Sequence, residues 1–119
     1  MLEIVMKLAV YGTLRTGSGN LGRIEKTTLF YPGHRRFPAM IYDETGTGTV
    51  VEIHEVDSEK LRAYDHYEGV SAGVYQRVME KVSMDDGTTT NAWVYLAGEK
   101  LLECSESFVA IASGDWFDR

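Results

Sequence analysis

A long β-hairpin is the feature that most constrains how this chain folds. Residues 74–84 and 88–97 read VYQRVMEKVSM and TTTNAWVYLA, and Asp85, Asp86 and Gly87 lie between them. Both segments carry many β-branched and aromatic residues, which favour strands. Asp-Gly supplies the positive φ angles of a tight turn, so the sequence predicts two antiparallel strands joined by a type I′ turn.

Four more segments have the character of strands. The first is a near-continuous apolar run that stops at Gly12, as a buried strand would. Two others lie on either side of the break at Pro32-Gly33. The last alternates apolar and polar residues, but the sequence does not decide which of its two sides faces the core. The four segments are residues 4–11, 27–31, 37–42 and 48–56.

One segment, Ser58–Glu68, is convincingly helical. Asp57 or Ser58 is suited to the N-cap, and Gly69 is well placed to end the helix. Six strands and one main helix predict an α+β fold, a small mixed β-barrel or strongly curled sheet with the helix against it. The 119 residues are expected to form a single domain, 1–119, and the structure of residues 99–112 is left open.

Composition excludes several classes of partner. The chain has 12 basic and 18 acidic side chains and a net charge of −6, which disfavours nucleic acid and anionic membranes as partners. Its one cysteine, Cys104, cannot form an internal disulfide, which fits a reducing compartment. Neither a signal sequence nor a transmembrane run is recognisable. The expectation is a cytoplasmic protein.

The end of the predicted helix carries an acid where the helix dipole disfavours one. Helical spacing places Leu61, Tyr64, Asp65 and Glu68 on one face, and the first two make that face the buried one. Burial, the neighbouring Asp65 and the dipole would all raise the pKa of Glu68. The helix by itself leaves two interpretations open, a perturbed functional acid or a solvated glutamate at a frayed end.

The segment after the first strand, VYGTLRTGSGN, has unpaired backbone groups at the end of a sheet. The amides of Tyr11 to Leu14 could bind a carboxylate or a developing oxyanion, with Gly12 allowing close approach, or they could face water in a plain turn. Arg15 is expected at the rim of such a site or in an ion pair.

Other site chemistries have weak support. The glycines of 17–22 fit G-x-G-x-x-G, but no apolar stripe of helical period follows, so a loop is the better interpretation. The three histidines are far apart and lack metal-ligand spacing, and a single cysteine gives no zinc signature. No metal site is therefore expected.

Four motifs in order along the chain resemble the γ-glutamylcyclotransferase-like family. They are VYGTLR (10–15), FPAMI (37–41), YDHYEGV (64–70) and VYQRVMEKV (74–82). The tail SGDWFDR (113–119) is similar to that of small bacterial members and of the AIG2-like, γ-glutamylamine cyclotransferase branch. The resemblance implies a small mixed β-barrel with a cavity at one end and without a metal or organic cofactor.

The resemblance also implies roles for individual residues. The loop Tyr11, Gly12, Thr13 and Leu14 would hold a γ-glutamyl group, and Glu68 would be the acid/base of a cyclotransferase that releases 5-oxoproline and an amine.

Two further residues, Tyr75 and Arg77, lie on one face of a predicted strand. They either line the cavity or belong to an amphipathic strand with an exposed arginine. The expected partner of the protein is a small γ-glutamyl substrate, and the expected state is a monomer or weak homo-oligomer. The alternatives are a non-catalytic binding module for a small metabolite and related γ-glutamyl acyl chemistry on a larger adduct.

Overall fold

The computed structural model describes residues 5–17, 19–32, 37–104 and 108–119. Within these residues the chain forms eight strands, two α-helices and two short 3-10 helices. In chain order they are β1 (Met6–Val10), β2 (Asn20–Ile24), β3 (Thr27–Pro32), β4 (Ala39–Tyr42), β5 (Thr49–Val56), α1 (Ser58–Tyr67), a 3-10 turn (Val70–Ala72), β6 (Tyr75–Met84), β7 (Thr89–Ala97), α2 (Glu99–Cys104), β8 (Phe108–Ala110) and a second 3-10 turn (Trp116–Asp118).

Five strands close into a barrel in the order β1-β5-β2-β6-β7. The pairs along this order are antiparallel, whereas β1 meets β7 in parallel at Leu8 and Trp93, so the barrel is mixed. A second antiparallel sheet has the order β4-β3-β8. The predicted α+β fold, a small mixed barrel with one main helix, is therefore confirmed, although β2 and β8 were not predicted as strands.

The hairpin prediction is correct in its strands and wrong in its turn. Strands β6 and β7 pair in register from Tyr75 opposite Ala97 to Ser83 opposite Thr89. A type I′ turn needs positive φ at both central residues, but in this turn only Gly87 has positive φ, at 90°. The Gly87 amide donates to the Met84 carbonyl, which is the arrangement of a type I turn followed by a left-handed glycine.

Helix α1 has the ends that its sequence predicts. The Asp57 carboxylate accepts a hydrogen bond of 2.7 Å from the Lys60 amide at the N-terminus. Gly69 adopts the left-handed conformation just beyond the helix, with φ of 67°. Leu61 is buried in a cluster with Leu8 and other barrel residues, so the predicted face packs against the barrel.

The glycine-rich segment, predicted as a loop, is a loop at Gly17 and Gly19 but continues into a barrel strand. Strand β2 begins at Asn20, two residues before Gly22. A Cβ atom on Gly22 would lie 2.6 Å from Val82 Cγ1, so this glycine allows β2 and β6 to approach each other closely. Residues 99–112, left open by the sequence, contain α2 and β8. No helix in the described part of the chain is both long and apolar enough to cross a membrane.

Candidate active site

A cavity of about 380 Å³ lies where the end of β1, the end of α1 and the start of β6 meet. The loop that follows β1 and the C-terminal residues of α1 contribute to its walls. The described lining residues are Ala9, Val10, Tyr11, Gly12, Thr13, Leu14, Phe37, Pro38, Tyr67, Glu68, Gly69, Val74, Tyr75 and Tyr95. The structure thus places six of the seven sequence-predicted site residues around one cavity, and Arg77 outside that set.

The loop after β1 turns sharply at the cavity wall. The amide of Arg15 donates to the carbonyl of Gly12 at 3.0 Å, which closes the turn. The amides of Gly12, Thr13 and Leu14 donate no hydrogen bond to another described residue. They are therefore available to an anionic group of a ligand.

Gly12 has a packing role that the sequence did not predict. A Cβ atom at this position would lie 2.5 Å from Cγ and 2.8 Å from Cδ of Pro38, well inside contact distance. The Pro38 ring is buried and also lines the cavity, directly beside Gly12. A side chain at this position would therefore force Pro38 or the loop to shift, so the contact with Pro38 favours glycine here.

Glu68 lines the cavity as a partly buried carboxyl group. Its backbone amide ends the helix by donating to the Tyr64 carbonyl at 2.8 Å. Burial raises the pKa of its side chain above the ordinary value of 4.5, in the predicted direction. In the described part of the chain no residue hydrogen-bonds to the carboxyl group, so both of its oxygens are open to a ligand.

The sequence predicted that the charge of the neighbouring acid, Asp65, would help to raise the pKa of Glu68, but in the structure this charge is paired. Arg77 binds it with two hydrogen bonds, Nε to Oδ1 at 2.7 Å and Nη2 to Oδ2 at 3.0 Å. The Tyr95 hydroxyl adds a third at 2.7 Å. Burial opposes ionisation of Asp65, but these hydrogen bonds outweigh it and lower the pKa of Asp65. The charge of Asp65 is therefore compensated, and burial is the cause that raises the pKa of Glu68.

The hydroxyl groups of two buried cavity tyrosines, Tyr11 and Tyr75, are bound to the cavity walls. Tyr11 donates to the carbonyl of Tyr95 at 2.6 Å, and Tyr75 donates to the carbonyl of Pro38 at 2.7 Å. Burial, followed by the nearby Tyr75 and Glu68, raises the pKa of Tyr11 well above its ordinary value. These tyrosines offer ring surface to a ligand, while their protons are committed to protein acceptors.

Arg15 lies in a buried charge cluster directly behind the loop. Its Nε donates to Glu52 Oε2 at 2.9 Å and its Nη1 to Asp115 Oδ1 at 2.6 Å, while its guanidinium lies 3.9 Å from the centre of the Phe117 ring. The sequence predicted an ion pair or a rim position for Arg15, and the structure shows an ion pair. It also shows that the tail holds this loop in place through Asp115.

Sequence reasoning missed Glu52, whose side chain is fully buried on β5. Besides Arg15, the amides of Thr16 and Gly17 donate to its carboxylate at 2.9 and 3.0 Å, and His54 Nε2 lies 3.2 Å from it. Burial disfavours the charge, but these hydrogen bonds outweigh it and lower the pKa of Glu52 to about 2. The one available signal was an acid between apolar residues in the middle of a strand.

Comparison with known proteins agrees with this architecture. A model of the family described as "Gamma-glutamyl cyclotransferase, AIG2-like" matches residues 8–118. A provisionally named γ-glutamylcyclotransferase of Methanocaldococcus jannaschii is 28% identical, with coverage of 92% of this chain and 93% of the relative.

Two solved structures share the fold. One, a γ-glutamyl cyclotransferase, has a TM-score of 0.70 at 17% identity, and the match covers 90% of this chain and 72% of the other. An AIG2-like protein from Mus musculus has a TM-score of 0.65 at 23% identity, with 82% of each chain covered. The match of the family model over residues 8–118 shows that this chain belongs to the AIG2-like γ-glutamyl cyclotransferases, a family of enzymes.

Proposed function

We propose that the protein releases 5-oxoproline and an amine from a γ-glutamyl amine or peptide, with Glu68 as the general acid/base. One observation carries the proposal. The carboxyl group of Glu68 has a raised pKa and no hydrogen-bonding partner among the described residues. It lines a cavity of about 380 Å³ together with Gly12, Thr13 and Leu14, whose backbone amides donate no hydrogen bond to a described residue. Perturbed acids in a cavity with convergent donors are typical of catalytic sites.

The reaction requires mainly that the substrate be folded correctly. The α-amino nitrogen attacks the γ-carbonyl carbon of the same molecule, a new C–N bond closes a five-membered ring, and the C–N bond to the leaving amine breaks. Well-oriented intramolecular reactions reach effective molarities of about 10⁵–10⁸ M. A cavity that holds the γ-glutamyl group bent therefore supplies much of the rate.

Proton transfer is the part of the reaction that needs a titratable group. The α-amine is mostly an ammonium at neutral pH, and it becomes a nucleophile only after a base removes a proton. The carboxylate of Glu68 accepts this proton and returns it to the nitrogen that leaves. The attacking nitrogen loses one more proton on forming the lactam, and the released amine takes up one more, so the protons balance. A carboxyl group whose pKa is raised towards neutrality is suited to both transfers.

The loop amides are suited to the negative charges of the substrate. The amides of Gly12, Thr13 and Leu14 would bind the substrate carboxylate or the oxyanion that forms on the γ-carbonyl oxygen. The ring of Tyr75 would form part of the wall against which the substrate bends. Arg77 would act on the site indirectly, because its guanidinium is bound to Asp65.

The Glu68→Gln variant tests the proposal. Glutamine has nearly the size of glutamate but accepts no proton at neutral pH. Incubation with γ-glutamyl amines and dipeptides, followed by detection of 5-oxoproline, should show a loss of turnover of about 10²–10⁴-fold. Binding of the substrate should persist. Glu59→Gln, an exposed change on the same helix, is the matched control and should retain full turnover.

Two results would contradict the assignment. Equal turnover by the parent and a normally folded Glu68→Gln variant would exclude Glu68 as the acid/base. Binding of γ-glutamyl compounds without 5-oxoproline from either protein would identify a binding module instead.

A further inference from the structure

The ion pair of Asp65 with Arg77 lies next to the proposed acid/base. We propose that Arg77 is a positioning residue for Glu68: it fastens the last turn of α1 to the barrel and cancels the acidic charge nearest to Glu68 along the helix. This inference rests on the proposed function of Glu68. It gives Arg77 a role without contact with the substrate.

The contacts of Arg77 connect the helix to two barrel strands. From β6, its guanidinium forms the two-pronged hydrogen bond with Asp65 on α1. The same guanidinium lies 4.3 Å from the centre of the Trp93 ring on β7. The Tyr95 hydroxyl, also from β7, binds Asp65 as well. Asp65 is thus held by both strands of the hairpin, and it lies one helical turn before Glu68.

The electrostatic part of the inference follows from helical spacing. Residues three apart on a helix are neighbours, with about 5–6 Å between their Cβ atoms. An uncompensated carboxylate at position 65 would disfavour the ionised form of Glu68 and raise its pKa. Arg77 prevents this because its positive charge is placed directly on the Asp65 carboxylate.

The other described residues that line the cavity around Glu68 carry no charged side chain. The titratable groups from the other elements of the cavity are the hydroxyls of Tyr11, Tyr75 and Tyr95, and all three donate to protein acceptors. Among the described residues that line the cavity, Glu68 is the one charged side chain. The charges of Asp65, one helical turn from Glu68, and of its partner Arg77 are therefore the ones whose removal tests the inference.

The test is a direct titration of Glu68 by carboxyl ¹³C NMR, with the signal assigned by its loss in Glu68→Gln. Arg77→Gln leaves Asp65 uncompensated and should raise the pKa of Glu68 by about 0.5–1 pH unit, for like charges about 6 Å apart at an effective dielectric constant of about 40–80. Asp65→Asn leaves the arginine uncompensated and should lower it. The double variant should return close to the parent.

Two further variants separate charge from packing. Arg77→Lys keeps the positive charge and should leave the pKa of Glu68 near the parent value. Arg62→Gln removes the same charge from an exposed position of α1 and should change nothing. If Arg77→Gln does not fold, Asp65→Asn and Arg77→Lys still give different expectations, a lowered pKa of Glu68 in the first and an unchanged one in the second. An unchanged Glu68 titration in Arg77→Gln, or an upward shift in Asp65→Asn, would overturn the inference.

The pH profile of turnover provides the second measurement. In Arg77→Gln the acidic limb of the kcat/KM profile should move to higher pH by the same interval as the NMR titration. At pH values below the limb, kcat/KM should therefore be about 3–10-fold lower than in the parent. A protein without any 5-oxoproline production would refute the proposed function, while the NMR titration would still decide whether Arg77 screens Glu68.

Discussion

Glu52 is a fully buried carboxylate, and Glu52→Gln measures what its charge contributes to the fold. Its pKa is about 2 instead of 4.5. At about 1.4 kcal/mol for each pKa unit, this difference corresponds to about 3 kcal/mol of stability at neutral pH. Because the pKa is lower in the folded protein, the contribution is complete above pH 4.5 and is lost as the pH falls through about 2.

Urea denaturation followed by circular dichroism is the assay. The free energy of unfolding of Glu52→Gln should be about 3 kcal/mol below that of the parent at pH 7. The difference should shrink as the pH falls from 4.5 towards 2, because Glu52 of the parent then becomes protonated and loses its charge. Glu55→Gln, an exposed change on the same strand, should differ from the parent by little. A difference that stays constant between pH 7 and pH 2.5 would refute the electrostatic reasoning.

Three further substitutions test separate parts of the structure. The free energy of unfolding of Glu68→Gln at pH 7 should equal or exceed that of the parent, because a raised pKa means that the charged glutamate is unfavourable in the folded protein. This gain should vanish below pH 4.5, where the parent glutamate is protonated as well. A clear loss of stability at pH 7 would contradict the burial argument. Gly12→Ala should lose about 1–3 kcal/mol and raise KM, since its methyl group meets Pro38; unchanged stability and KM would show that the ring yields. Asp57→Ala should lose about 1 kcal/mol in urea denaturation by removing the N-cap of α1, and no loss would show that another group caps it.

Local signals made α1 and the β6–β7 hairpin predictable from the sequence. The N-cap at Asp57 and the left-handed Gly69 are encoded within a few residues of the helix that they bound. The turn type was mispredicted because Asp-Gly suits both a type I′ turn and a type I turn with a following glycine. The two turn types differ by one residue in the register of the flanking strands, and this register is set by the pairing of the whole hairpin.

Long-range packing explains what the sequence did not reveal. Strand β2 carries Gly22 at its centre, which weakens its strand pattern in the sequence. The reason for the glycine is the close approach of β6, through Val82, Ser83 and Met84. Strand β8 has three residues, too few for periodicity. The pairs Arg15–Glu52 and Arg77–Asp65 join residues 37 and 12 positions apart, so neither pair is visible in a local pattern. Only the fold distinguishes these paired acids from Glu68.

Three acids, Glu52, Asp65 and Glu68, show how the fold assigns different tasks to one kind of group. Glu52 and Asp65 each receive an arginine and further donors, which keep their pKa values low and make them fixed anchors for the loop and the helix. Glu68 lies between those anchored elements and receives no such donor among the described residues. The hydroxyls of Tyr11, Tyr75 and Tyr95, which line the same cavity, are already directed to backbone carbonyls or to Asp65. A ligand can therefore supply a hydrogen bond to this carboxyl, and a substrate ammonium would supply both the bond and the proton.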